Sequence, residues 1–134
     1  MIAIDSSVAV PAVTSWHEFH EIARIAADGA SIPAHALLET YSVLTRMPGR
    51  LSPTDAGRLL DVRFGDGLVL VPSRDLALSV VRRLAESGLH GGAVYDALIG
   101  WTASEHSAPL VTVDARAARN YAAANIAVEF LDLR

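Results

Sequence analysis

Two patterns of apolar and polar positions alternate along this chain of 134 residues. Short unbroken aliphatic runs, Met1-Ile2-Ala3-Ile4, Leu68-Val69-Leu70-Val71-Pro72 and Pro109-Leu110-Val111-Thr112-Val113, have the make-up of strands buried on both faces. The longer stretches between them carry apolar residues at helical spacing. The pattern predicts strands at 1–5, about 30–33, 68–72, 109–113 and 127–131. Helices are predicted at about 16–28, 34–46, 53–64, 74–87, 93–106 and 115–124. Ser52-Pro53 opens one of these, and Pro48-Gly49-Arg50 and Gly65-Asp66-Gly67 read as turns. Strands alternating with helices predict an α/β fold whose mainly parallel sheet is covered on both faces. No repeat or low-complexity linker divides the chain, and its length is that of a single domain, 1–134.

Two of the strand-like runs end on an acid: Ile4 leads into Asp5, and Val113 leads into Asp114. In open α/β sheets ligands bind outside the carboxyl ends of the strands, so both carboxylates are delivered to the place where chemistry sits. A third acid, Asp96, is the only charge in Ala93-Val94-Tyr95-Asp96-Ala97-Leu98-Ile99-Gly100-Trp101, which reads as a buried helix. Gly92, Gly100 and Ala103 share its face, leaving room beside the carboxylate. The plain alternative for Asp96 is a capping or ion-paired role near Gly91-Gly92. Glu39 is less telling by itself. Leu37, Tyr41 and Leu44 form the expected core stripe of its helix, which leaves Glu39 with His35, Ser42 and Arg46 on a solvated face.

Charge changes this picture little. The net charge of −4 is unlike that of most nucleic-acid-binding domains. The 15 acids exceed the 11 basic residues by four, so setting aside four site carboxylates leaves a balanced surface. All the basic residues are arginine, whose planar donor fork suits phosphate. The chain has no cysteine, which excludes disulfides, a thiol nucleophile and cysteine-bound metal. No apolar stretch approaches the ~20 residues of a membrane span. The first charge is Asp5 and the first basic residue Arg24, unlike an export signal, so a cytoplasmic location is expected.

Four segments in order resemble the PIN-domain nucleases, most closely the VapC-type toxins of toxin–antitoxin pairs. They are Ile4-Asp5-Ser6-Ser7, Ala36-Leu37-Leu38-Glu39-Thr40-Tyr41, His90-Gly91-Gly92-Ala93-Val94-Tyr95-Asp96-Ala97-Leu98-Ile99, and Leu110-Val111-Thr112-Val113-Asp114. The resemblance covers the whole chain in order, spacing and length. It implies a three-layer α/β/α sandwich around a mainly parallel sheet of four to five strands. It implies an acidic catalytic and metal-binding site of Asp5, Glu39, Asp96 and Asp114, with Ser6 and Thr112 as supporting groups. A small antitoxin that covers the cleft and a toxin homodimer are implied as well. Where many relatives continue with a basic and aromatic stretch, Asp114 is followed here by Ala115-Arg116-Ala117-Ala118-Arg119-Asn120, with no further acid.

Four converging carboxylates repel one another unless a cation compensates them, and hard oxygen ligands select Mg²⁺ or Mn²⁺. On this expectation a metal held mainly by Asp5 and Asp96 orients and deprotonates a water for in-line attack on an RNA phosphodiester; the resemblance implies products with 5′-phosphate and 3′-hydroxyl ends. Asp114 and Glu39 complete the shell or hold its waters. Arg46, Arg116 and Arg119 are the candidate RNA phosphate contacts. His17, His20 and Glu21 read as a polar surface face in preference to a metal cluster, and His90 precedes the glycine turn near Asp96.

Other chemistries fit less well. Without lysine there is neither a phosphate-binding loop of the Walker type nor a receiver domain. A haloacid-dehalogenase-like site needs an acid where Ser7 stands, and an integrin-like metal site needs a serine where Ala9 stands. The competing expectation is a catalytically silent PIN-like module that binds RNA or a protein.

Overall fold

A computed structural model describes residues 1–133, without the Asp66 side chain; Arg134, the end of the expected 1–134 domain, lies outside the described residues. The strands are β1 (Ala3–Ile4), β2 (Ile32–Pro33), β3 (Val69–Leu70), β4 (Leu110–Thr112) and β5 (Val128–Phe130). The helices are α1 (Ser6–Val13), α2 (His20–Ala26), α3 (Ala34–Arg46), α4 (Pro53–Leu68), α5 (Arg74–Glu86), α6 (Ala93–Glu105) and α7 (Ala115–Ala123).

All pairings are parallel, as the alternation of elements predicts. Strands β1, β4 and β5 form one sheet in that order, with Ile4 opposite Val111 and Thr112 opposite Phe130. Strands β2 and β3 form a second, with Ile32 opposite Val69. The expected continuous sheet of four to five strands is therefore divided into three and two. Among the described residues, Ser31 bridges the parts: its carbonyl accepts from the Ile4 amide at 2.9 Å, and its amide donates to the Ile2 carbonyl at 2.9 Å. Pro33, two residues later, has no amide to extend that ladder and already leads into α3.

The α/β/α sandwich closes over Ile4, Ile32 and Leu110 of the strands, Val8 of α1, Leu44 of α3, Phe64 of α4, Ile99 of α6 and Tyr121 of α7. Helices α3, α5, α6 and α7 begin and end within about one residue of the predicted bounds. Helix α1, however, occupies a segment the hydrophobic pattern leaves unassigned, and α2 starts at His20, four residues later than predicted. Helix α4 runs on to Leu68 through a kink at Gly65, where φ is +37°. The chain thus does break its helical course at Gly65, at the start of the expected turn at 65–67, and the strand that follows is confined to Val69–Leu70. No helix among the described residues is long and apolar enough to cross a membrane.

Candidate active site

Asp5 and Asp114 stand at the carboxyl ends of adjacent strands β1 and β4, and each caps the helix that follows. Asp5 precedes α1, and its Oδ1 accepts from the Ser7 amide at 3.0 Å and from the Ser7 hydroxyl. Asp114 precedes α7, and its Oδ1 accepts from the amides of Arg116 at 2.9 Å and Ala117 at 3.3 Å. Their exposure differs sharply. Asp5 is 3% exposed, whereas Asp114 lies on the surface.

Oδ2 of Asp5 accepts a 2.8 Å hydrogen bond from the buried Tyr121 hydroxyl. Burial pushes the Asp5 carboxyl above its ordinary pKa, against the lowering effect of hydroxyls on Ser7, Thr112 and Tyr121. Thr112 also ties the two strand ends together. Its Oγ1 lies 3.1 Å from the Ser7 hydroxyl and accepts from the Asp114 amide at 3.2 Å, while Ser7 Oγ accepts from the Val113 amide at 3.0 Å.

Asp96 sits in the first turn of α6 and is half-buried, not enclosed as the apolar composition of its helix suggests. The deeply buried part of that helix starts one residue later, at Ala97. Asn120 of α7 donates from Nδ2 to Asp96 Oδ2 at 2.7 Å. Gly100 does not serve the site: a β-carbon there would collide with the Ile126 side chain. Burial raises the Asp96 pKa; Asn120 lowers it, Asp5 and Asp114 raise it further, and His35 lowers it slightly.

Glu39 departs from the solvated face assigned to it. The fully buried positions of α3 are Ala36, Thr40 and Leu44, which turns Glu39 half-buried toward the other acids. Its pKa is raised to about 7, first by burial, then by the charges of Asp96 and Asp5, with the Ser6 hydroxyl opposing. Glu39 thus feels the charges of Asp96 and Asp5, and Asp96 those of Asp5 and Asp114. Ser6 supports Glu39, and Ser7, absent from the sequence expectation, supports Asp5. Asn120 and Tyr121 are absent from it as well, although a tyrosine four residues after the buried Ala117 signals a core hydroxyl in need of a partner.

A cleft of about 700 Å³ is lined by Glu39, Asp96, His90, Tyr95, Arg116 and Asn120 among others, whereas Asp5 and Asp114 stand outside its lining. Arg46 and Arg119 are exposed but stand outside its lining. His17, His20 and Glu21 are spent locally: the His17 ring accepts from the Phe19 amide, His20 bonds the Pro11 carbonyl, and Glu21 pairs with Arg24 at 2.7 Å.

Among the described residues no three acidic or histidine side chains form a ready-made metal cage. The donors nevertheless fit a hard cation that keeps most of its waters and takes one or two carboxylates directly. They offer the carboxylate of Asp5, the partly exposed Asp96, and a Glu39 whose proton affinity is raised first by burial and then by the charges of Asp96 and Asp5. Among the described residues no arginine is ion-paired to these acids.

The PIN domain family matches residues 2–123. Ribonuclease VapC27 of Mycobacterium tuberculosis (strain ATCC 25618 / H37Rv) is 47% identical over 124 residues, 90% of this chain and 89% of its own. Ribonuclease VapC40 of Mycobacterium tuberculosis (strain CDC 1551 / Oshkosh) is 42% identical over 135 residues, 98% and 99% of the two chains. Among solved structures, FitAB bound to an IR36 DNA fragment superimposes with a TM-score of 0.64 over 97% of this chain and 94% of the other. At 18% identity that is a likeness of fold alone. Since the matched span takes in all four acids, the strand-end carboxylates belong to a known architecture: this chain is a member of the PIN-domain family, of the VapC ribonuclease type.

Proposed function

We propose that the chain is a single-domain, metal-dependent endoribonuclease acting as the toxin of a toxin–antitoxin pair, with Asp5, Glu39, Asp96 and Asp114 as its catalytic and metal-holding acids. The observation that carries this reading is that Glu39 and Asp96 line one cleft, with Glu39 raised to about pKa 7 first by burial and then by the charges of Asp96 and Asp5. Asp5 and Asp96 would hold the ion, and Glu39 and Asp114 its outer shell. Mg²⁺ or Mn²⁺ supplies charge compensation for the RNA phosphate and an acidified water as nucleophile. The chain's own groups do the rest. Tyr121 and Ser7 fix Asp5, Asn120 fixes Asp96, Ser6 orients Glu39, and Arg116 meets a phosphate at the cleft wall. Arg46 and Arg119 would contact phosphates farther along the strand.

The relatives' names and the family resemblance support a protein antitoxin, a homodimer and a cytoplasmic setting. An acidic cleft gives the antitoxin a binding place for a basic side chain. The test is cleavage of a total-RNA pool with Mg²⁺ or Mn²⁺. Wild type is expected to cut, and Asp5→Asn and Asp96→Asn to lose at least about a hundredfold, on the scale of removing a group that stabilises charge in the transition state. Equal cleavage by all three overturns the acid site; no cleavage of any RNA favours a silent binding module.

A further inference from the structure

Tyr95 immediately precedes Asp96 on α6 and lines the same cleft, yet its side chain is 52% exposed. Its ring is stacked on the His35 imidazole of α3, with centroids 5.2 Å apart and planes 2° from parallel. An exposed tyrosine usually spends its rotamer freedom in solvent. This one is held flat by a neighbouring helix at the edge of the proposed catalytic acids.

We infer that Tyr95, backed by His35, is a stacking platform for an unpaired nucleobase flanking the phosphate that is cut. The inference rests on the ribonuclease reading above and adds the base-contacting residue. A fixed aromatic face costs little further ordering when a base settles on it, and base–aromatic stacking is worth roughly 5- to 150-fold in affinity. Phosphate contacts position a strand without reading it. Arg116 on the cleft wall fills that role, whereas Tyr95 offers the flat apolar surface that a base needs. In a duplex the base faces are covered by their neighbours, so this platform selects unstacked bases in loops and single strands.

The experiment compares Tyr95→Ala with Tyr95→Phe in full-length protein carrying Asp5→Asn, so that strands remain intact. Binding is measured to a random 12-nucleotide single-stranded RNA pool, to the same pool annealed into duplex, and to an abasic chain of equal length. Tyr95→Ala is expected to weaken binding to the single-stranded pool roughly 5- to 150-fold while leaving the abasic chain unchanged, and Tyr95→Phe to bind like the parent. Unchanged binding to the pool overturns the platform, as does an equal loss on the abasic chain. A Tyr95→Ala protein whose oligomeric mass changes while its RNA affinity does not also overturns it, by making this ring a protein contact. Failure of the parent to bind any RNA, with wild type failing to cut any, overturns the ribonuclease reading beneath it.

Discussion

The Tyr121 hydroxyl donates a 2.8 Å hydrogen bond to Oδ2 of Asp5 across 116 residues of sequence. The bond joins the start of the first helix to the last and lies in the core, with Tyr121 fully buried and Asp5 nearly so. Burial and the Asp5 charge both push the Tyr121 pKa upward, so the phenol is protonated at any working pH and can only donate through its proton. Asn120, the preceding residue, does the same for Asp96. One turn of α7 therefore orients two acids that come from distant segments of the chain, one after β1 and one in α6.

Tyr121→Phe keeps the ring's packing and removes only the donor. A hydrogen bond to a charged group contributes about 1.5–3 kcal/mol, so RNA cleavage is expected to fall roughly 10- to 100-fold, and the Mn²⁺ needed for half-maximal rate to change with it. Metal titrations of wild type and variant, followed by cleavage rate and by the electron spin resonance of free Mn²⁺, measure both. A variant that unfolds at lower temperature yet cleaves at the wild-type rate and metal dependence would show the bond to be structural only.

Glu39 makes stability depend on pH in a direction that can be worked out. Its folded pKa of about 7 lies above the ordinary 4.5, so the folded protein holds this proton more tightly than the unfolded chain. No penalty applies below the unfolded value, and stability is lost as pH rises through the interval from 4.5 to about 7. In chelator, Glu39→Gln is expected to flatten that part of the profile by on the order of 1–2 kcal/mol, after allowance for solvent screening of a half-buried group. Thermal unfolding of both proteins between pH 4.5 and 8 measures it. Parallel profiles would mean that neither burial nor the neighbouring acids shift Glu39 in the folded protein.

The outer helices were legible in the sequence because strong signals mark them, such as the Ser52 and Ser73 caps, whose hydroxyls accept from Asp55 and Leu76. Helix α1 was not, because Pro11 and the β-branched Val8 and Val10 argue locally against a helix. The Asp5 cap and burial of Val8, Ala9, Pro11 and Ala12 override that preference. The same limit hid the environment of Glu39. Large apolar residues suggested a stripe through Leu37 and Tyr41, but close packing chose the small Ala36 and Thr40. The Thr40 hydroxyl satisfies itself on the Ala36 carbonyl at 2.7 Å and so can be buried without an apolar signal. The places of Asp5 and Asp114 at the ends of β1 and β4 were legible from position alone. Ser7, Asn120 and Tyr121 needed the contacts between distant segments.

Gly100 supplies a test of the packing that carries α6. In a helix interior, glycine to alanine ordinarily stabilises by about 0.5–1 kcal/mol. Here the new β-carbon would meet three atoms of Ile126, including its terminal Cδ1, in a buried contact between α6 and the segment that follows α7. Overpacking of this kind costs about 1–3 kcal/mol, so the sign should reverse and Gly100→Ala should unfold at lower denaturant concentration. Ile126→Val removes the atom in closest conflict, and the double variant should recover part of the loss even though Ile126→Val alone costs about 0.5–1.5 kcal/mol. Strict additivity in that cycle, or a stabilising Gly100→Ala, would mean that α6 shifts freely over Ile126. Asp96, on the same helix, would then owe its position to the Asn120 hydrogen bond and not to the core beneath it.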